Sequence, residues 1–167
     1  MAPRFEELID RHHDEIFAYL WRLLQKERHS DVMLEAEDLV QEVFLRAYQS
    51  FSSLRQDSNH RAWLYKIATN CAFTKLRQMR NRRAKSLQLA DSRVVCDPSP
   101  IRHSMQTQLR GLVNELPAKQ KASVTLRYLE DLDYSEIASI LGCSEETARA
   151  NVYQALRRLR IALKEDL

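Results

Sequence analysis

Apolar residues recur every three or four positions along most of this 167-residue chain. One such series extends from Phe5 to Leu23, a second from Leu39 to Phe51, and a third starts near His60. This spacing places apolar side chains on one face of an α-helix. No convincing alternation of apolar and polar residues indicates a strand. The sequence therefore predicts an all-α fold.

Composition excludes several classes of protein. Glycine occurs only at Gly111 and Gly142, whereas phosphate-cradling loops and most cofactor sites need glycine for positive φ or close backbone approach. The three cysteines are widely spaced without a CxxC pair, so neither a metal site nor a disulfide framework is expected. No plausible catalytic set of nucleophile, base and acid can be assembled. We therefore predict no cofactor, no small-molecule substrate and no enzymatic activity.

The chain also lacks the sequence patterns of export and membrane insertion. No apolar run approaches the roughly 20 residues that cross a bilayer. Residues 1–10 are acidic and lack the basic-then-apolar order of a signal peptide. These features predict a cytoplasmic protein with no direct membrane insertion.

Charge is divided unevenly along the chain. Residues 1–57 carry 7 basic and 12 acidic side chains, residues 58–93 carry 9 and 1, and residues 94–167 carry 10 of each. Uneven charge at this scale reports on binding partners rather than on fold. An acidic N-terminal segment, 1–57, and a basic central segment, 58–93, predict contacts with two different partners.

The helical pattern dissolves between Lys85 and about Thr107. There, residues 97–100 read Asp-Pro-Ser-Pro and force an extended or turn path, because the residue before a proline is pushed out of the α region. We interpret residues 87–107 as a flexible linker between two small helical domains, 1–86 and 108–167. A long loop inside one domain is the alternative.

The C-terminal third carries the most specific motif. A capping box begins at Asp133, Gly142 ends the short helix that it opens, and Ser144 can cap the next helix. This order is typical of a helix-turn-helix, whose second helix enters the DNA major groove. On that helix, Arg149 can donate two hydrogen bonds to guanine and Gln154 can pair with adenine. A helical hairpin with no role in DNA binding is the alternative.

The segment from Arg61 to Lys85 holds 8 basic side chains and no acidic one. Basic groups neutralise phosphates, and the interleaved aromatic residues Trp63, Tyr65 and Phe73 can stack on unpaired bases. A charged run is usually a solvated helix face, but acidic residues normally accompany basic ones there. We therefore predict that this helix binds nucleic acid.

Another exposed face is predicted on the preceding helix, which either Glu35 or Asp38 can cap. Its members lie opposite the buried stripe at three- and four-residue spacing and comprise Asp38, Gln41, Glu42, Leu45 and Arg46. An exposed leucine within a polar face favours a protein partner. A solvated surface is the alternative.

These motifs occur in an order that resembles the bacterial RNA polymerase sigma factors of the extracytoplasmic-function (ECF) group. Phe5 to Leu23 resembles their opening helix, and Ala36 to Tyr48 resembles their core-polymerase-binding motif. Arg61 to Asn70 matches the helix that recognises the −10 promoter element, and Leu116 to Leu159 matches the domain that recognises the −35 element. The resemblance implies an N-terminal core-binding helical bundle followed by a helix-turn-helix domain.

The resemblance also implies a role for each matching segment. Residues 52–59 would hold a base that is flipped out of the non-template strand. The clamp helices of the largest subunit of core RNA polymerase would be contacted by Asp38, Gln41, Glu42 and Leu45. The melted −10 strand would be contacted by Ser58, Asn59, Arg61, Lys66, Asn70, Lys75, Arg77 and Arg80. The −35 duplex would be contacted by Arg127, Ser144, Glu145, Glu146, Thr147, Arg149, Ala150, Tyr153 and Gln154.

Such a protein confers promoter recognition on polymerase and is not an enzyme by itself. Members of the group are commonly held inactive by an anti-sigma factor.

Two departures from the family pattern stand out. Related recognition helices usually carry several basic residues where this one has Ala150, Asn151 and Gln154, which predicts weaker phosphate contact or an unusual −35 sequence. Leu64 occupies the place of a melting tryptophan in housekeeping sigma factors, so melting would depend on a near-consensus −10 element.

Three other functional classes remain open from the residues themselves. A stand-alone helix-turn-helix regulator would bind duplex DNA without polymerase, which leaves the Asp38 face and the acid-free helix unexplained. A helical adaptor would use the basic helix to bind an acidic protein. A nucleic-acid-modifying enzyme would need a metal or nucleophile constellation that the sequence lacks. Binding to core polymerase separates the sigma-factor interpretation from all three.

Overall fold

The computed structural model describes residues 3–25, 31–89 and 104–165. These ranges contain helices and connecting turns but no strand, which confirms the predicted all-α class. The helices are α1 Phe5–Leu24, α2 Val32–Phe51, α3 His60–Leu89, α4 Met105–Asn114, α5 Ala118–Tyr128, α6 Tyr134–Leu141 and α7 Glu145–Glu165. Within the described ranges, no helix has the length and apolar character that a membrane span requires.

Helices α1, α2 and α3 form a first bundle around a shared core. Ile16 and Leu20 of α1, Val43 of α2 and Leu64 of α3 have no exposed surface. Burial of an aliphatic side chain of this size stabilises a fold by about 1.5–3 kcal/mol. The apolar stripes that the sequence predicted for these three helices are therefore the faces that meet in the core, with one exception. Tyr48, which the pattern placed in the buried stripe of α2, is exposed because it lies one turn beyond Leu45 on the outer side of the helix.

Helices α4 to α7 form a second bundle. Leu116, Val124, Ala155 and Leu159 build a small cluster in which α5 packs on α7. Helix α6 then crosses the start of α7, with Ala138 and Ala148 buried between neighbouring helices. Small side chains at these positions let the helices approach closely.

The two bundles pack directly on each other. Helix α3 contacts α6, and α1 contacts α5. One cluster of buried apolar residues continues from the first bundle to Leu126, Leu132 and Ile137 of the second. Nothing in the sequence patterns predicted this contact, because a helical stripe shows that a face is buried without showing which partner covers it.

Three helix boundaries differ from the sequence interpretation. Helix α2 begins at Val32, so neither Glu35 nor Asp38 caps it. The helix starts one turn earlier than predicted because the partly buried Val32 packs against the core. Helix α3 continues to Leu89, and residues 80–87 are exposed on all sides, so no apolar stripe marks the end of this helix. Helix α4 begins at Met105, and the predicted turn at 97–100 lies outside the described residues.

Candidate polymerase and nucleic-acid interfaces

Helix α2 carries the predicted polymerase-binding residues on its outer face. All four are exposed, and 59% of the Leu45 surface is accessible. The carboxylate of Glu42 lies 2.6 Å from Arg46 Nη2, one turn farther along the same face. The buried stripe on the opposite side, which includes Val43, fixes the direction in which this polar face points.

The same face extends beyond the predicted residues at both ends. Leu34 is 57% exposed and Tyr48 is 64% exposed, which is unusual for large apolar side chains. Leu34, Asp38, Gln41, Leu45 and Tyr48 are spaced alternately by four and three positions, so they form one stripe along α2. This spacing is visible in the sequence, but the late predicted start of α2 left Leu34 outside the helix.

Half of the side chains predicted to contact the −10 element lie on one side of α3, where three of the four are cationic. At about 100° per residue, Lys66, Asn70, Arg77 and Arg80 fall within an arc of roughly 80°. All four are exposed. Among the described residues, none forms an ion pair with Lys66, Arg77 or Arg80. We name these four residues the outer face of α3.

Arg61 lies on another side of α3 and points toward α1. Its Nε donates hydrogen bonds of 3.2 and 3.1 Å to the two carboxylate oxygens of Glu15, and its Nη2 donates another of 3.0 Å. Burial alone would raise the pKa of the Glu15 carboxyl group, but hydrogen bonds and charge from Arg61 and His12 outweigh it and lower that pKa. Glu15 therefore holds the Arg61 guanidinium in a fixed orientation.

Three other side chains predicted to contact the −10 element also lie away from the outer face. Asn59 caps α3, because its Oδ1 accepts a 3.0 Å hydrogen bond from the Ala62 amide. Ser58, the preceding residue, is partly buried in the turn before α3. Lys75 Nζ lies 3.9 Å from Glu35 of α2. The predicted set therefore divides into the outer face of α3 and a second group that lies away from it.

The helix-turn-helix has the predicted capping geometry. Asp133 accepts a 2.8 Å hydrogen bond from the Glu136 amide, and the Glu136 carboxylate accepts one of 3.0 Å from the Asp133 amide. Gly142 adopts a φ of 64°, a left-handed conformation that favours glycine. The Ser144 hydroxyl then accepts a 3.1 Å hydrogen bond from the Thr147 amide at the start of α7.

The first turns of α7 present to solvent the side chains predicted to contact the −35 element. The exposed residues are Ser144, Glu145, Glu146, Thr147, Arg149, Ala150, Tyr153 and Gln154. Gln154 accepts a 3.1 Å hydrogen bond from Gln120 of α5, which orients its side chain. Glu145 lies 3.8 Å from Arg149 Nη2, so an acidic residue already accompanies the one early arginine of this helix.

Tyr134, which the sequence interpretation used only as part of the capping motif, lies between two predicted DNA-binding arginines. The guanidinium carbon of Arg149 lies 4.3 Å from the centre of the Tyr134 ring, and that of Arg127 lies 4.9 Å from it. Arg127 also donates a 3.0 Å hydrogen bond to the Leu132 carbonyl oxygen. Local sequence spacing does not show that side chains of α5 and α7 meet on one ring of α6, so no signal could have identified this residue.

A groove of about 860 Å³ runs along the junction of the two bundles. It is lined by apolar side chains from α1, α4, α5 and α7, among them Trp21, Leu109 and Leu129. Of the side chains that the structure describes, five basic ones and no acidic one also line the groove. These are Arg22, Arg110, Lys121, Arg160 and Lys164. The groove therefore combines an apolar floor with positive charge.

Comparison with known proteins places both halves of the chain in one family. Residues 8–83 match the family described as Sigma-70 region 2, and residues 106–159 match Sigma-70, region 4. Sigma factor SigV of Bacillus subtilis is 33% identical over 80% of this chain and 79% of its own length. The ECF sigma factor SigE of Mycolicibacterium smegmatis is 30% identical over 95% of this chain, which spans 61% of the length of that relative.

A solved structure shares the arrangement of both bundles. Sigma factor RpoE from Bartonella quintana, in complex with the anti-sigma factor NepR, superposes with a TM-score of 0.74. The match covers 98% of both chains at 25% sequence identity. Together with the two matched regions and the SigV relative, it supports the resemblance drawn from the motifs. The chain belongs to the ECF group of bacterial RNA polymerase sigma factors, which direct promoter-specific transcription initiation.

Proposed function

We propose that this chain binds core RNA polymerase through the stripe on α2 and recognises two promoter elements with different parts of its two bundles. The observation that carries the proposal is the exposed α2 stripe, which combines acidic and apolar side chains in the same bundle as the cationic outer face of α3. A duplex-only regulator needs neither surface. Asp38, Gln41, Glu42 and Leu45 would contact the clamp helices of the largest polymerase subunit.

We propose that the first bundle binds the melted −10 strand. The outer face of α3 would follow the phosphates, since its cations have no acidic partner to displace among the described residues. Residues 52–59 would receive a flipped base, at a cost of a few kcal/mol that stacking and pocket contacts offset. Ser58, Asn59, Arg61 and Lys75 would contact the strand from the side of α3 nearer to α1 and α2.

We propose that α7 enters the major groove of the −35 element. Arg149 would read guanine, and the residues from Ser144 to Gln154 would lie against base edges and phosphates, with Arg127 on the flanking backbone. The two acidic residues that open α7 outnumber Arg149, so residues 144–154 carry a net charge of −1. This arrangement predicts specificity that depends on base contacts more than on phosphate attraction.

The remaining assignments follow from the same proposal. The domain division would be 1–86 and 108–167 with a linker at 87–107, of which residues 87–89 continue α3 and residues 105–107 begin α4. The protein would act in the cytoplasm, where polymerase and promoter DNA are located. It would have no catalytic activity of its own and would confer promoter recognition on polymerase.

Co-elution with purified bacterial core polymerase on a sizing column tests the polymerase assignment. We expect wild type to co-elute with core polymerase and the variant Asp38→Ala/Gln41→Ala/Glu42→Ala to elute alone. The variant Glu6→Ala/Glu7→Ala/Asp10→Ala, which removes three exposed acidic residues from α1, serves as the matched control and should co-elute. Failure of folded wild type to co-elute would move the assignment to a stand-alone regulator.

We also propose an anti-sigma factor as a partner, supported by the complex in which the Bartonella relative was solved. The groove fits an amphipathic helix with an apolar face and acidic flanks, because its floor is apolar and its charged lining is basic. We expect a protein fraction that contains the anti-sigma factor, prepared from the native cells, to block binding of the wild-type chain to core RNA polymerase. The same fraction should not block binding of the Leu129→Glu variant. Equal inhibition of both proteins would contradict the assignment of the groove.

A further inference from the structure

One polar side chain of α5 is buried against α7, beside the residues proposed to read the −35 element. Gln120, in the first turn of α5, is 8% exposed. Its Nε2 donates a 3.1 Å hydrogen bond to Oε1 of Gln154 on α7. Its own Oε1 is buried and accepts no hydrogen bond from the residues that the structure describes. An apolar side chain would avoid the cost of an unpaired buried oxygen, so packing alone does not account for a glutamine here.

The hydrogen bond between the two glutamines lies at the edge of an apolar contact. Leu116 precedes Gln120 by four positions and Val124 follows it by four, and both belong to the cluster that packs on α7. Ala155, the neighbour of Gln154, has no exposed surface. Because this packing fixes α5 against α7, the Gln120 amide approaches Gln154 from a fixed place.

An amide can turn by 180° and exchange its oxygen for its nitrogen, so the two glutamines could pair in two ways. In the arrangement observed, Gln120 donates and its unpaired atom is the carbonyl oxygen. In the reverse arrangement Gln154 would donate, and the buried amide nitrogen of Gln120 would lose this acceptor. Buried backbone N–H groups are found unpaired less often than buried carbonyl oxygens, and a side-chain amide carries the same two groups. The observed arrangement is therefore the more stable one.

This pairing decides which atoms of Gln154 are available to DNA. Its Oε1 is held toward α5, which leaves Nε2 and its two hydrogens on an exposed side chain. Within the described ranges, no residue accepts a hydrogen bond from that Nε2. Guanine and thymine present a carbonyl oxygen in the major groove, whereas adenine and cytosine present an amino group. A side chain that only donates matches guanine and thymine.

We propose that Gln120 is a positioning residue that sets the base preference of Gln154 at the −35 element, for guanine or thymine over adenine or cytosine. The proposal rests on the role proposed above for Gln154 in α7. It replaces the sequence-based expectation that Gln154 pairs with adenine. That pairing aims Oε1 and Nε2 at one base edge, whereas the hydrogen bond from Gln120 holds Oε1 toward α5.

The test uses the chain bound to core polymerase and a duplex library that is randomised at the −35 element. Base frequencies in the selected DNA identify the position at which Gln154→Ala loses its preference. Gln120→Met removes the amide and keeps a similar volume. Gln120→Glu supplies a carboxylate that only accepts, and the assay is run at pH 8, because the positive end of α5 favours the charged form.

Matched controls make the same two changes at another glutamine. Gln106→Met and Gln106→Glu alter an exposed side chain of α4, so they reproduce the change in polarity and in net charge away from α7. Both controls should select the same bases as wild type. Thermal unfolding of every variant identifies those that fold.

We expect wild type to prefer guanine or thymine roughly fivefold at the Gln154 position, the usual effect of one neutral hydrogen bond. Gln120→Met should relax this preference, with adenine gaining most, because Gln154 can then turn both amide atoms toward it. Gln120→Glu should invert the preference toward adenine or cytosine, since the carboxylate accepts from Nε2 and turns Oε1 toward the DNA.

A double variant separates positioning from a purely structural role. In a Gln154→Ala background, Gln120→Met and Gln120→Glu should leave the base frequencies unchanged, because the effect of Gln120 acts through Gln154. A loss of stability would instead lower binding to all sequences without inverting the preference at one position.

Three results would overturn the proposal. They are a wild-type preference for adenine or cytosine, a wild-type preference that persists in both Gln120 variants, and unchanged base frequencies in Gln154→Ala. Co-elution with core polymerase is measured separately. If the free chain selects duplex DNA without binding polymerase, the same comparison on the free chain tests the positioning role, while the sigma-factor role is rejected.

Discussion

The outer face of α3 and the first turns of α7 both present arginines to solvent, but the surroundings of these arginines differ. On α3, Arg77 and Arg80 have no acidic partner among the described residues. On α7, Arg149 lies 3.8 Å from Glu145 and 4.3 Å from the centre of the Tyr134 ring. One surface offers uncompensated charge, and the other offers a single arginine in a defined position.

This difference matches the two forms of DNA that the surfaces are proposed to bind. A single strand is flexible, so an extended row of cations can follow its phosphates without a fixed geometry. A duplex presents base edges at fixed places in the major groove, so a positioned side chain gains more there than a mobile one. We therefore expect salt to weaken binding by α3 far more than binding by α7.

The largest effect should follow the removal of charge from the outer face of α3. We expect Lys66→Ala/Arg77→Ala/Arg80→Ala to lose roughly 3 kcal/mol of single-strand binding, at about 1 kcal/mol for each contact. The slope of log affinity against log salt should fall by about 2, since each single-strand phosphate contact contributes about 0.7. Anisotropy titrations at several salt concentrations measure both quantities.

The variant Arg4→Ala/Arg11→Ala/Lys119→Ala controls for net charge, because it removes three exposed basic residues elsewhere. It should keep the wild-type slope. Equal loss in both variants would show that overall charge, rather than the outer face of α3, attracts the strand.

A smaller effect is expected at the start of α7. Arg149→Ala should weaken binding of the holoenzyme to the −35 duplex that it selects by roughly 1–3 kcal/mol and relax base preference at one position. Arg149→Lys keeps the charge but loses the planar pair of donors, so it should restore little of that preference. Full rescue by lysine, measured by competition between duplexes, would assign Arg149 to phosphate contact instead.

The smallest effect is expected at Tyr134, which positions Arg127 and Arg149 through its ring. Tyr134→Leu should weaken −35 binding by about 1 kcal/mol, the usual magnitude of an exposed cation–π contact. Tyr134→Phe keeps the ring and should bind like wild type. A loss in the phenylalanine variant would point to the hydroxyl group and contradict the stacking role.

Local patterns were sufficient to predict the helices and the helix-turn-helix. Asp133, Gly142 and Ser144 act within a few residues of their own positions, so their roles follow from side-chain chemistry and backbone preference. The apolar stripes likewise identified buried faces such as that of Val43. Family resemblance then added the two promoter elements and polymerase, which spacing alone did not reveal.

Contacts between distant segments were not predictable from the sequence. Glu130 looks like an ordinary loop carboxylate beside Asp131, yet its partner Tyr65 is 65 positions away. The division of the side chains predicted to contact the −10 element had the same cause, because Arg61 and Lys66 read alike in a basic helix. Only the packing of α1 and the second bundle against one side of α3 separates them.

The most direct measurement is selection of DNA from a random-sequence duplex library by this chain bound to core polymerase. We expect the selected molecules to share two separated sequence elements, and we expect the chain without core polymerase to select neither efficiently. Arg149→Ala should degrade only the upstream element. Recovery of one contiguous element, equally well with and without polymerase, would contradict the sigma-factor role and identify a stand-alone DNA-binding regulator.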